Sequence, residues 1–172
     1  MEFTPITGTA LHGIAKAVGH AVGNAEIGPL SFYTNGDLIT VDGQRYIAAG
    51  DGPVTDGQLY PLTGHGSAIH EANKIAGLSI TDDTVIDYLA FFNLNIRDDD
   101  GGNFIVLLED KKVGDRMVTR PRAEKKPDHY MIECNVMHDD QLWSCQYKVT
   151  TDGYVEMVSS DLLEEADLPR VH

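Results

Sequence analysis

The stretch YMIECNVMHDDQLWSCQYKVTTDGYVEMV, residues 130–158, decides the fold because its side chains alternate between apolar and polar. An alternation with a period of two predicts β-strands that bury one face. Three such runs occur, at residues 130–136, 142–149 and 154–158, and short polar turns separate them. The stretch therefore predicts an antiparallel sheet in the C-terminal half of the chain.

The register of the first two strands follows from their turn. If Asp139 and Asp140 form a two-residue loop, one face of the hairpin collects only apolar or aromatic residues. A slip by one residue would bring polar side chains to that face. A three-residue turn at 151–153 continues the pattern by setting Val149 against Val155. The core-facing pairs of the first hairpin are then Tyr130 with Val149, Ile132 with Tyr147, Cys134 with Cys145 and Val136 with Trp143.

The chain before this stretch carries helical patterns and one hairpin signal. Apolar residues recur at helical spacing over residues 11–24, 68–76 and 81–97, and Asp42-Gly43 separates two strand-like runs within 37–48. We predict an α+β fold with an N-terminal helix and hairpin region, two central helices, and then a mainly antiparallel sheet. A single domain is expected over residues 1–172, with subregions 1–64 and 65–172. A helix that leads into an antiparallel meander resembles the cystatin-like and NTF2-like folds in element order alone.

Composition and charge exclude several classes of protein. The chain has 172 residues, of which 42% are hydrophobic, so it can bury a core without disulfides or metals. Its formal charge of -14 disfavours binding to nucleic acid and to anionic membranes. The sequence contains no apolar run of membrane-spanning length and no signal peptide at its start. A cytoplasmic location is therefore expected.

The charge is unevenly distributed along the chain. Residues 111–126, called the basic segment below, hold seven basic residues against two acidic ones, a charge of +5 that leaves -19 for the rest. This asymmetry favours a non-enzymatic protein that binds a protein partner or itself. The alternative is a solvated connection between strands. The residues expected to carry partner binding are Arg116, Arg120, Arg122, Lys125 and Lys126.

A glycine-rich loop precedes the second predicted helix. Gly64, His65, Gly66 and Ser67 would offer backbone N–H groups to an anion or other ligand at the helix start. The loop lacks the Gly-Lys-Ser/Thr ending of a phosphate-binding P-loop. An ordinary loop with a helix cap is the alternative.

Two groups of residues contain metal-ligand chemistry but fail the known patterns. His70 and Glu71 begin an H-E-x-x-H motif that the sequence does not complete. The residues 98–103 contain aspartates, but not in the order of a calcium-binding EF-hand loop. No metal site and no cofactor are therefore predicted.

A second functional hypothesis is a small-molecule enzyme or ligand-binding domain. Its pocket would lie between the 81–97 helix and the sheet, with His129 and His138 as candidate polar groups. Cys134 and Cys145 face each other in the predicted register, which leaves two buried thiols or a disulfide open. The sequence does not decide whether the protein is an enzyme.

Overall fold

The computed structural model describes residues 2–50 and 58–165, and it shows an α+β fold with mostly antiparallel strands. The chain divides into two compact units, Met1–Ser79 and Ile80–His172. The predicted subregion boundary after residue 64 falls inside the first unit, and the single domain stays a prediction. Within the described ranges, no helix is both long and apolar enough to cross a membrane.

The first unit is an antiparallel meander with two helices. Its five strands pair in sequence order, β1 to β5. Helix α1 packs Ile14, 1% exposed, against Ala25, Ile39 and Val41 of the sheet. The elements in chain order are β1 Thr4–Pro5, α1 Gly8–Val18, β2 Ala25–Pro29, β3 Gly36–Val41, β4 Gln44–Ala49, β5 Leu59–Pro61 and α2 Ser67–Asn73.

The predicted N-terminal helix and hairpin are both confirmed. The helix begins earlier than its apolar pattern, at Gly8, and ends where Gly19 takes a left-handed conformation and donates its N–H to Ala15. Strands β3 and β4 pair from Gly36 with Ala49 to Val41 with Gln44, so that Asp42 and Gly43 form the turn.

The second unit places one helix before a larger antiparallel sheet. The strand order in this sheet is β12-β11-β10-β6, and β9 also pairs with β10, while β7 and β8 form a separate two-stranded ribbon. The elements in chain order are α3 Val85–Asn95, β6 Ile105–Val106, β7 Lys111–Val113, β8 Arg116–Val118, β9 Arg122–Lys125, β10 His129–His138, β11 Gln141–Thr150 and β12 Val155–Glu165.

Helix α3 is shorter than the 81–97 range predicted for it. Residues 81–84 form a turn in which the Thr81 N–H donates to the Thr84 hydroxyl oxygen at 2.9 Å. Helical geometry therefore starts only at Val85, whose N–H donates to the Thr81 carbonyl oxygen. At the other end Ile96 is extended, and Arg97 forms a β-bridge with Asn103.

The predicted register of the C-terminal sheet is confirmed. Strands β10 and β11 pair from His129 with Thr150 to His138 with Gln141, which places Cys134 opposite Cys145. Val149 faces Val155 on β12, as the three-residue turn requires. Register shifts interrupt the β11–β12 pairing between Gln146 and Tyr147 and again between Leu142 and Trp143.

The basic segment is not an irregular connection between strands, because it contains β7, β8 and β9. Val118 of β8 is 1% exposed and packs with Leu107 and Leu142 in a small apolar cluster. The half-buried Val113 and Met137 join the same cluster. The basic segment therefore anchors itself by apolar contacts while its charged side chains face outward.

The two-residue turns at 42–43 and 139–140 differ at their second position, which is Gly in the first turn and Asp in the second. This difference predicts that the two turns contribute unequally to the stability of the fold. Asp42 and Gly43 have φ of 48° and 85°, whereas Asp139 and Asp140 have φ of 49° and 60°. Positive φ at both central positions favours Gly at the second one. We expect Asp140→Gly to raise the free energy of unfolding by about 0.5–1 kcal/mol.

The matched control is Gly43→Asp, which should lower the free energy of unfolding by a comparable amount. Urea denaturation of both variants, with unchanged m-values, measures the two effects. A loss of stability in Asp140→Gly would contradict the expectation and would mean that the Asp140 side chain stabilises the turn.

Candidate functional site

The loop after helix α3 folds around the carboxylate of Asp98. One oxygen, Oδ1, accepts the N–H of Asp100 at 3.1 Å and that of Gly102 at 2.8 Å. The Asp98 N–H in turn donates to the Gly102 carbonyl oxygen at 2.8 Å. These bonds hold the carboxylate in one orientation and leave its second oxygen, Oδ2, for another partner.

That partner is the end of strand β10. The His138 Nε2 atom lies 2.9 Å from Asp98 Oδ2 and 3.4 Å from Asp139 Oδ2. One ligand atom from each of the three residues lies within 4.8 Å of the other two. The exposed fractions of the His138, Asp98 and Asp139 side chains are 13%, 27% and 63%, so the cluster is closed on one side and open to solvent on the other.

The contacts of the two ring nitrogens of His138 indicate that the cluster requires a positive charge at Nε2. Its Nδ1 atom lies 3.0 Å from the Asn103 carbonyl oxygen, which can only accept, so Nδ1 carries the hydrogen. In a neutral ring Nε2 would then present a lone pair to two carboxylates. The arrangement is favourable only if Nε2 carries a second proton or if a cation lies between Nε2 and the carboxylate oxygens.

Neighbouring groups fix the orientation of the ring. The Phe104 ring stacks on it with centroids 4.0 Å apart and an interplanar angle of 10°. Gly102 lies against its edge, where an added Cβ would come within 2.8 Å of His138 Cε1 and 2.9 Å of Asp139 Oδ1. A larger residue than Gly at position 102 would displace the cluster.

This cluster joins residues that belong to separate predictions. The aspartates of 98–103 fail the EF-hand order, and His138 is a candidate pocket residue. About forty positions separate Asp98 from His138, so no spacing motif connects them. The usable signal was topological, because the predicted register already placed His138 beside the Asp139-Asp140 turn.

The other pocket candidate, His129, lies at the opposite end of β10. It lies nine positions along the strand from His138, a distance of about 30 Å. Its ring contacts Asp128 and lowers the pKa of that carboxyl group, chiefly by hydrogen bonding. The structure therefore does not bring the two histidines together.

The predicted ligand loop lies in the first unit, at the start of α2. Gly64 is buried, His65 is exposed, and Gly66 occupies the cap position without a side-chain hydrogen bond. Ser67 is the first helical residue rather than the cap. Anion or ligand binding at this seven-residue helix stays a prediction.

Several charges of the basic segment have acidic neighbours within ion-pair distance. Arg120 lies 3.3 Å from Asp110, and hydrogen bonds from Arg120 lower the pKa of Asp110. The other contacts are Arg122 with Glu133 at 3.5 Å and Lys126 with Glu124 at 2.8 Å. These side chains are mostly exposed, and exposed pairs contribute little to stability, so the cations remain available to a partner.

The interface between α3 and the sheet contains a buried polar group of residues. Asn93 of α3 and Tyr147 of β11 are 5% and 2% exposed. Asn93 and Cys145 lie close enough to the Tyr147 hydroxyl to affect its pKa, which burial raises above its ordinary value. Neither Asn93 Nδ2 nor the Tyr147 hydroxyl, however, makes a hydrogen bond of good geometry within the described residues.

The two cysteines in this interface are free thiols. Burial raises the pKa of Cys134 to about 12 and that of Cys145 to about 11. Thiols with such pKa values stay protonated at neutral pH and are poor nucleophiles. Redox or nucleophilic chemistry at this pair is therefore disfavoured.

The Tyr147 hydroxyl makes no hydrogen bond of good geometry with the described residues, and this predicts an unusual response to its removal. We expect Tyr147→Phe to leave the free energy of unfolding unchanged or to raise it by up to about 1 kcal/mol, because it removes a buried polar atom without a well-formed hydrogen bond in the described part of the chain. The control is Tyr88→Phe, since Tyr88 donates to the Gly153 carbonyl oxygen at 2.6 Å and is fully buried.

Tyr88→Phe should lower the free energy of unfolding by about 1–2 kcal/mol, because it leaves a buried carbonyl oxygen without its donor. Thermal and urea unfolding of the two variants give the comparison. Equal losses in both would show that the Tyr147 hydroxyl stabilises the fold.

The best-defined arrangement of functional groups is thus Asp98, His138 and Asp139, with the Asn103 carbonyl oxygen behind the ring. It combines one imidazole nitrogen with two carboxylates at one end of the sheet. No protein-family model, no curated protein and no solved structure matches this chain.

Proposed function

We propose that the C-terminal unit binds a divalent metal ion through Asp98, His138 and Asp139. The observation that carries the proposal is the convergence of two carboxylate oxygens on His138 Nε2 while Nδ1 faces the Asn103 carbonyl oxygen. In many metal sites, the ligating histidine donates its second N–H to a carbonyl or carboxylate oxygen in the same way. The lone pairs of Nε2 and of the two carboxylate oxygens repel one another. A cation bound at Nε2 would be coordinated by all three.

The distances suit a small transition metal. Ligand atoms on a tetrahedral zinc ion are about 3.4 Å apart, given bonds of roughly 2.1 Å. The Asp139 contact already has that length, at 3.4 Å, and the Asp98 contact of 2.9 Å would lengthen by about half an ångström. An imidazole nitrogen favours Zn²⁺ over Ca²⁺, which prefers a shell of six to eight oxygens.

The placement of the ligands suggests what a bound metal would do. Asp98 belongs to the loop that follows α3, whereas His138 ends β10 and Asp139 begins the β10–β11 turn. A metal ion would cross-link these two segments. Three protein ligands also leave one position of a tetrahedral ion for water or a substrate on the exposed Asp139 side. Hydrolysis of a small substrate is the class of chemistry such an open position supports.

Calorimetric titration of chelator-treated protein with Zn²⁺, Mn²⁺ and Ca²⁺ tests the proposal. We expect one Zn²⁺ per chain, weaker Mn²⁺ binding and no Ca²⁺ binding at the same site. His138→Ala should abolish this site, and Asp98→Asn or Asp139→Asn should weaken it at least about tenfold, as loss of a ligand requires. Bound Zn²⁺ should also raise the unfolding temperature, because it binds the folded chain.

The matched control is His129→Ala. It removes the other histidine of β10, whose ring also contacts an aspartate, Asp128. Its Zn²⁺ stoichiometry and affinity should equal those of the unchanged protein. If no metal binds, or if His138→Ala and His129→Ala behave alike, the metal proposal is wrong.

A second candidate is a small polar ligand bound between α3 and the sheet. It is favoured by the buried polar atoms of Asn93 and Tyr147, which lack hydrogen-bond partners within the described residues. The cystatin-like or NTF2-like element order belongs to this candidate and is supported by α3 preceding the β10–β11–β12 meander.

The free thiols support a cytoplasmic location for either candidate.

A further inference from the structure

The sheet of the C-terminal unit has two exposed edges. Strand β12 pairs with β11 on one side, and β9 pairs with β10 on the other. Within residues 2–50 and 58–165, no strand pairs with the outer side of either. All four residues of β9 are exposed, and so are the seven consecutive residues 156–162 of β12. Unpaired backbone N–H and C=O groups at such edges can accept another strand.

The two edges carry opposite charge. Strand β9 contributes Arg122 and Lys125 against Glu124, and Lys126 follows it directly, so that this edge has a net charge of +2. The exposed part of β12 contributes Glu156 and Asp161 and has no basic residue. Exposed apolar side chains lie between and directly after these two acids. They are Met157, Val158 and Leu162, with exposed fractions of 37%, 49% and 44%.

Charged side chains on an edge strand usually prevent pairing between sheets, because like charges repel. Here that protection applies to β9 against β9 and to β12 against β12. It does not apply to β9 against β12, where cation would face carboxylate. The charge pattern therefore permits one pairing and opposes the other two.

We propose that β12 of one copy of this chain binds β9 of a second copy and so extends the sheet from one molecule to the next. The contact is head-to-tail, since each copy offers a different edge to each neighbour. Such contacts form rings if their rotation closes and open chains if it does not. The charges accelerate encounter and select the partner edge, while the exposed apolar residues of β12 add buried area.

Sedimentation of the whole chain over a range of concentration and salt tests this proposal. We expect reversible association whose dissociation constant rises at least roughly tenfold between low and high salt, because the charges are exposed and screened. The double variant Arg122→Glu with Lys125→Glu should weaken association at least about tenfold, and so should Glu156→Lys with Asp161→Lys.

A mixture of these two double variants is the decisive measurement. One then carries an acidic β9 and the other a basic β12, so the mixture should associate although neither variant does so alone. The matched control is Lys111→Glu with Lys112→Glu, which changes the net charge by the same amount on β7 and should leave association intact.

Three results would overturn the proposal. The first is a monomer at every concentration and salt level. The second is an equal loss of association in the control and in the β9 variant. The third is stronger association of the Glu156→Lys with Asp161→Lys variant by itself, which would show that the acidic charge of β12 opposes association.

Discussion

Ten consecutive residue pairs join β10 to β11, from His129 opposite Thr150 to His138 opposite Gln141. This pairing fixes which side chains face α3 and which face the β7–β8 ribbon. It also fixes the geometry of the turn, and therefore where His138 and Asp139 stand relative to the loop after α3. A shift of one residue would send the buried face outward and would separate His138 from Asp98.

Local patterns were sufficient to predict this pairing. The alternation of apolar and polar residues identified the core face, and a turn of two aspartates set the register without knowledge of any distant contact. The helix limits were less predictable, because hydrogen bonds between Thr81 and Thr84 replace the first helical turn with a separate turn. The apolar pattern of residues 81–97 does not indicate that a separate turn replaces the first turn of the helix.

The basic segment and the cluster of Asp98, His138 and Asp139 show the limit of interpreting a chain by its composition. Charge dominated the interpretation of residues 111–126, although Val113 and Val118 are what attach them to Leu142 and Met137. For the cluster, the necessary information is tertiary. Asp98 meets His138 only because the loop bonded to Asp98 Oδ1 ends beside the last residue of β10. Neither the loop after α3 nor strand β10 contains a sequence motif that predicts contact with the other.

Strand β10 has neighbours on both of its sides. It pairs with β11 along its whole length, and on its other edge with β9 at residues 130–133 and with β6 at residues 136 and 137. Its inward side chains are also buried, with Ile132 and Val136 fully inaccessible. Backbone amides held in this way exchange with solvent only when a large part of the surrounding structure opens. In a deuterium-exchange experiment, β10 would therefore mark the slowest cooperative opening of the C-terminal unit, while the outer strands exchange first.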